Sequence, residues 1–459
     1  MSINRSFTAY SLILLLLASL AISQGCKKDE PGPDNQWPEG SVPMDDFLKW
    51  SLASTPSTFP ESAITGNLGY GKNRAKLCWY NIDPVFSKSH PDRPPNITDE
   101  ELSEPYIREV FEHEIFPLME NPNGQPSVIN TLNLDLYPSL RGPYNFDAFP
   151  SAISDGMDPN GNLASPETRW GGIMRTIPQT DFDLNYIEFW MLDPFIENEN
   201  LSGDLYIQLG NFNEDILRDN HVSNEASVSQ EPSHMDTTAW CLAGKYNKWK
   251  DTFGSAQDQD LGLDGLDDSG EISHYNSSFL QDVYDYYGQL VVNKILSDPS
   301  ADNYHYFRGT DYDNWTPASQ VKVRYFLING LQGNSKPDHL SPEDYPVSIT
   351  QTPDTEDIDN SDGLSFTESY REYHIPVSTG DFFEGENFIT TVRYASGVPL
   401  PNGSMGEFKW YHFRIPVDDF TDTYGNPLSF SSYDMIRIYL TGFSEPVTIR
   451  LAYFYLSAE

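Results

Sequence analysis

RWGGIMRTIPQTDFDLNYIEFWMLDPFIENENLSGDLYIQL, residues 169–209, carries two runs with a period of two. Ile187, Phe189 and Met191 alternate with Glu188, Trp190 and Leu192; Leu205, Ile207 and Leu209 alternate with Tyr206 and Gln208. A pleated strand turns successive side chains to opposite faces, so this alternation in aromatic and branched residues predicts two strands. Asn198, Asn200 and Gly203, all turn formers, separate them and predict a hairpin. The end of the chain repeats the layout, with Asp419-Phe420 standing where Asp181-Phe182 stands. YDMIRIYL (433–440), the turn TGFSEP and VTIRLAYFYL (447–456) follow. Two such units far apart predict a mainly β, jelly-roll-like sandwich whose sheets are completed by both ends of one domain, the middle being looped out.

Further strands are predicted at AKLCWYNIDPVF (75–86) and at INTLNLDLYP (129–138), where Leu132, Leu134 and Leu136 alternate. Between them, ITDEELSEPYIREVFEHEIFPLM (97–119) places Ile107, Val110, Phe111 and Ile115 at helical spacing behind Thr98 and Glu101, a capping-box pair. That predicts a helix ended by Pro117. From Asn211 to about Tyr345 the texture turns polar, with one predicted helix, SSFLQDVYDYYGQLVVNKIL (277–296). This loop-rich insertion, about 211–345, is long enough to carry an interaction surface. Strands resume at YREYHIPV (370–377), ENFITTVRY (386–394) and EFKWYHFRIPV (407–417). The Pro-, Gly- and Asp-rich stretch 26–44 reads as a flexible linker, leaving 45–459 as the folded module.

The 459 residues include 68 acidic and 28 basic ones, for a net charge of -40. Phosphate-rich partners require clustered Lys or Arg, which argues against nucleic acid and anionic membrane surfaces. An aromatic content of 14% separates the chain from disordered acidic proteins. At the N-terminus, Arg5 precedes an apolar run from Tyr10 to Ile22, too short to span a bilayer comfortably. With Cys26 in SQGC, residues 1–25 resemble a bacterial lipoprotein signal peptide, which implies a Cys26 carrying fatty acyl chains such as palmitate and heading the mature chain. A cleaved secretory peptide with a free thiol is the alternative. Lys27, Lys28, Asp29 and Glu30 look like the export signal of Bacteroidetes surface lipoproteins, or are a solvated charge run. Cys78 and Cys241 do not make a disulfide framework and read as buried free thiols.

DIDNSDGLSFTE (357–368) has the length of a calcium loop. Asp357, Asp359, Ser361, the carbonyl of Gly363, Ser365 and Glu368 fall on ligand positions, a set of hard oxygens suited to Ca²⁺. Asp362 stands where such loops have glycine, and the strand-like YREYHIPV follows where a helix would be expected, so an acidic solvated turn is the other reading. DLGLDGLDDSGE (260–271) is a second acidic loop, with Asp260, Asp264, Asp267, Asp268 and Glu271, whose spacing suits calcium poorly because Gly262 occupies a ligand position. Glu109, Glu112, His113 and Glu114 lack the paired histidines of a zinc helix. Neither a nucleophile elbow, nor a P-loop, nor a dinucleotide fingerprint is present, so no catalytic residues are assigned. Trp170, Trp190, Trp240, Trp315, Trp410 and Tyr411 could offer a sugar-stacking platform, although Trp190 and Trp410 sit inside strands and read as core.

Eleven stretches, in one order over residues 65–457, resemble the N-terminal, motility-related module of the SprA family, the translocon of type IX secretion and Bacteroidetes gliding. They include YGKNRAKLCWYNIDPVF (70–86), LNLDLYPSLRGPYNF (132–146), RWGGIMRTIPQTDF (169–182), GLDGLDD (262–268), FKWYHFRIP (408–416) and IRIYLTGFSEPVTIRLA (436–452). The translocon closes a giant barrel, for which this chain has no room. The resemblance therefore implies a module without the pore, and an outer-membrane lipoprotein tied to secretion or gliding. Its expected role is a non-enzymatic binding or accessory one through protein partners. A surface carbohydrate-binding lipoprotein and a hydrolase with an unseen site are the rival readings.

Overall fold

A computed structural model describes residues 37–118, 127–225, 235–244, 259–314, 320–335, 349–350, 352–426 and 433–458. The signal peptide, Cys26 and the charge run at 27–30 lie outside the described residues. In chain order the strands begin β1 (Ser41–Pro43), β2 (Ser51–Leu52), β3 (Ala75–Tyr80), β4 (Val110–Phe111), β5 (Val128–Ile129), β6 (Thr131–Arg141), β7 (Trp170–Thr176), β8 (Tyr186–Leu192) and β9 (Ser202–Asn211). They continue with β10 (Met235–Thr237), β11 (Leu242–Gly244), β12 (Ser369–Ser378), β13 (Ile389–Pro399), β14 (Met405–Pro416), β15 (Asp422–Tyr424), β16 (Met435–Thr441) and β17 (Val447–Ser457). One antiparallel sheet runs β13-β14-β8-β17-β6-β3, with β1 also on β17; the other runs β15-β12-β9-β16-β7-β2. The short pairs β4-β5 and β10-β11 stand apart.

The mainly β prediction holds, but neither predicted hairpin is one. β8 and β9 belong to different sheets, and so do β16 and β17. Instead the two units exchange partners: Met191 of β8 pairs with Leu451 of β17, and Ile207 of β9 with Ile438 of β16. The physical reason is burial on both faces. β17 is buried along nearly its whole length and β8 along all but its first residue. Such strands need hydrogen-bonded neighbours on both edges, which a two-strand hairpin does not provide. The turns therefore carry the chain from one sheet to the other.

Leu134, Phe189, Met191, Ile449 and Leu451 of the first sheet and Leu205, Ile207, Ile375 and Ile438 of the second share one core cluster. Close approach between the layers rests on Gly171 in β7. A Cβ there would lie 2.8 Å from Leu77 Cβ and 2.9 Å from Leu136 Cδ1, atoms of the other sheet. A second cluster, including Tyr80, Phe86, Ile107, Phe307 and Tyr325, covers Cys78 and Tyr80 of β3. Cys78 and Cys241 are both free thiols, and burial pushes Cys78 up to about 12.

Three expectations change in detail. The helix predicted over 97–119 is a 3₁₀ turn at Glu101–Ser103, the strand β4 and one helical turn at Glu112–Ile115. Pro105 in its middle lacks an N–H and blocks a continuous helix, although the Thr98 hydroxyl does accept from Glu101 N as predicted. The helix predicted over 277–296 is two, Phe279–Tyr287 and Gln289–Ile295, parted at Gly288 with φ +80. A preceding helix, Asp268–Tyr275, was not foreseen. The stretch read as linker already contains β1, whose Val42 pairs with Leu456, so the folded body begins before residue 45. Among the described residues no helix is long and apolar enough to cross a membrane.

Leu451 joins β8 to β6, pairing with Met191 on one side and Leu132 on the other. Leu451→Ala should lower unfolding free energy by about 2–5 kcal/mol in urea denaturation. Leu48→Ala, at a 57% exposed position, should change it by less than about 0.5 kcal/mol.

Candidate functional site

The loop 357–368 folds tightly, with Asn360 and Asp362 in left-handed backbone. Asp357 Oδ1 accepts from Ser361 N at 2.9 Å and its Oδ2 from Asp362 N at 3.0 Å; Asp359 Oδ1 also accepts from Ser361 N at 2.9 Å. These are short-range Asx contacts that shape a turn. The third carboxylate here is Glu214. Its Oε1 accepts from Ile358 N and Asp359 N, and its Oε2 from Ser365 N. Carboxylate oxygens of Glu214, Asp357 and Asp359 lie within 4.8 Å of one another, a spacing that one divalent cation can span. Burial foremost pushes Glu214 up to about 7.

Glu368, the ligand expected to close this loop, is used elsewhere. Its carboxylate meets Arg437 Nη1 at 3.2 Å. The Arg437 guanidinium is fully buried, donates to Gln208 Oε1 at 2.7 Å and lies over the Phe212 ring. Ser361 is exposed and Gly363 half-buried. The twelve-residue spacing missed Glu214 because that residue lies just past the end of β9, far off in sequence. Only the β9–β12 register, Asn211 against Ser369, brings 214 to the loop.

The second acidic loop is divided. Asp260 turns to the 333–335 segment, accepting from Gly333 N at 2.9 Å and Ser335 N at 2.6 Å. Asp267 caps the helix Asp268–Tyr275. Asp264 and Glu271 turn inward to Asp302. Elsewhere buried carboxylates brace loops through backbone N–H groups, as Glu356 does with Leu217 N and Ser223 N. Such donors stabilise a desolvated carboxylate without a cation.

The aromatic platform is not formed. Trp170, Trp190, Trp240, Trp410 and Tyr411 are all buried, and Trp315 lies outside the described residues. Trp170 and Trp240 spend their indole N–H groups on Glu61 and the Leu217 carbonyl. Glu114 is bound bidentately by Arg108, at 2.7 and 2.6 Å. It is an ion-pair partner.

Against these features, residues 278–458 match the SprA N-terminal family model, described as a motility related/secretion protein. Over that stretch the chain is similar to the SprA N-terminal family. No curated protein matches the chain. The matched stretch includes the helix pair 279–295, the predicted calcium loop and β12 to β17.

Glu368→Gln should cost about 3 kcal/mol by leaving Arg437 under-compensated. The loss should be equal with and without Ca²⁺; a Ca²⁺-dependent difference in denaturation would return Glu368 to the loop. A pH dependence follows from Asp260. Burial first, then Asp354, outweighs its backbone bonds and raises it to about 7. A carboxyl raised on folding stabilises below its unfolded value, and that contribution is lost as pH rises through 7. Unfolding free energy should therefore fall between about pH 4 and pH 7, and Asp260→Asn should flatten that slope in denaturant titrations.

Proposed function

We propose that this chain is a lipid-anchored outer-membrane protein that serves type IX secretion or gliding by contact with protein partners, without catalysis. The observation that carries the reading is the family match over 278–458. The apolar run ending before Cys26 supports the anchor. Diacyl and amide-linked chains on one cysteine bury enough methylenes to hold a protein on a bilayer stably. The charge of -40 supports partners or surfaces presenting basic groups. The acid-rich excursion between β9 and β12 offers surface of that kind.

In the native bacterium, Cys26→Ala should move the protein out of the outer-membrane fraction. Deletion should slow gliding or lower secretion of type IX cargo, and affinity capture of the anchored protein should retain translocon components. Deletion with wild-type secretion and gliding, together with capture that retains no such component, would refute the reading.

A further inference from the structure

We propose that Asp264, Glu271 and Asp302, with Asp268 and Asp298 alongside, bind one Ca²⁺ that closes the 259–303 excursion on itself, tying the turn before its first helix to the loop after its last. Three separate pieces of chain build the place. Asp264 lies in the turn before the helix Asp268–Tyr275, and Asp268 and Glu271 sit three residues apart in that helix, on one face. Asp298 and Asp302 come from the loop after the helix Gln289–Ile295. Carboxylate oxygens of Asp264, Glu271 and Asp302 all lie within 4.8 Å of one another, and so do those of Asp268, Glu271 and Asp298. Ca–O bonds of about 2.4 Å allow one ion to span ligand oxygens that far apart.

A gathering of acids alone says little in so acidic a chain. What sets this one apart is unmet bonding capacity in side chains with no exposure. Asp264, Glu271 and Asp302 are each 0% exposed. Neither oxygen of Asp302 has a hydrogen-bond donor, and Glu271 Oε1 has none either. The Tyr144 hydroxyl beside Asp302 accepts from Leu263 N at 2.8 Å and has a single proton to direct at Asp302, too few for its two oxygens. Asp264 is better served, by the Ser300 hydroxyl at 2.7 Å and Leu266 N at 3.1 Å. The oxygens left over belong to two side chains that converge on one point.

The cations nearby, Arg141 and Lys76, act on the rim of the cluster at Asp298 and Glu271. Arg141, the near guanidinium, donates to the carbonyls of Asn145, Pro299 and Asp298. Among the described residues no lysine or arginine makes an ion pair with Asp264, Glu271 or Asp302. Gly262 lets the chain close over the cluster: with φ +76 it brings its Cα where a Cβ would sit 2.3 Å from Asp302 Oδ2. Desolvated carboxylates without partners are strongly destabilising, and a divalent ion at their centre removes that cost. The donors are hard oxygens, without histidine or cysteine, which favours Ca²⁺ or Mg²⁺ over zinc or copper. Several carboxylates from three segments suit Ca²⁺, with its 6–8 ligands and flexible geometry, better than Mg²⁺, which keeps its own waters. Asp298 and Asp302 escape any reading by loop spacing, since they lie beyond the helix Gln289–Ile295.

The test uses the full chain, stripped with EDTA and titrated with CaCl₂ by calorimetry and by thermal unfolding. Ca²⁺ should bind and raise Tm by several degrees. Asp302→Asn and Glu271→Gln should each weaken that binding roughly tenfold or more, whereas Asp359→Asn, in the 357–368 loop, should leave it in place. Hydrogen exchange on the unmodified chain provides a readout that needs no variant to fold: Ca²⁺ should slow exchange over 259–303. Absence of heat and of any Tm change at millimolar Ca²⁺ would overturn the proposal. So would protection confined to 357–368, or an Asp302→Asn protein that is more stable and responds to Ca²⁺ as before.

Discussion

The architecture depends on an exchange of partners between two strand pairs about 240 residues apart in sequence. β8 is flanked by β14 and β17, and β9 by β12 and β16. Each backbone edge in the middle of either sheet is thus satisfied by a segment from the opposite end of the chain. Removing water from those edges is tolerable only when all of them are paired. Neither sheet can therefore form in part and remain stable. Pairing of such high sequence separation also closes long loops, which makes folding slow and all-or-none in character.

Strand identity was legible because alternation is a local property. Leu132, Leu134 and Leu136 announce β6, and Ile436, Ile438 and Leu440 announce β16, whatever their neighbours. Which strand lies beside which was not legible, because a polar turn such as 193–201 serves equally to reverse within a sheet or to cross between sheets. The helix expected over 97–119 failed for a different reason. Apolar residues at helical spacing were real, and Ile107, Val110 and Ile115 are buried. They are buried from a turn, a strand and one helical turn in succession, because Pro105 blocks a single continuous helix. The site residues divide in the same way. Asp357 and Asp359 come together because they are two apart in one turn, whereas Glu214 joins them only through sheet register. Glu368 shared their loop in sequence but faces a buried arginine, and nothing in the spacing foretold Arg437 behind it.

The chain's acidity is not confined to its surface. Glu214, Glu225, Asp260, Asp264, Glu271, Asp302 and Glu356 are drawn inside, mostly in the excursion between β9 and β12 and its return. Two solutions to their desolvation coexist. Glu214 and Glu356 are ringed by backbone N–H groups, which order irregular loops that lack a ladder of their own. At Asp302 that solution is missing. Irregular stretches between the helices of this excursion have a large ordering entropy to overcome, and polar centres of this kind supply cross-links beside its buried apolar side chains.

Residues 278–458 bring β12 to β17, which include both outer strands of one edge and the central β16 and β17. Those central strands have no lateral partners within the matched stretch: β17 needs β6 and β8, and β16 needs β7 and β9, all from before residue 212. A chain holding only the matched portion would expose both edges of its two most buried strands, together with Leu451, Ile438 and their neighbours. Such edges aggregate rather than fold. The matched portion is therefore half of two sheets, and the folding unit that carries it reaches back to β1, where Ser41 meets Ser457. The chain before residue 212 supplies all four of those missing partners, β6, β7, β8 and β9. Their place in the sheets explains why they accompany it.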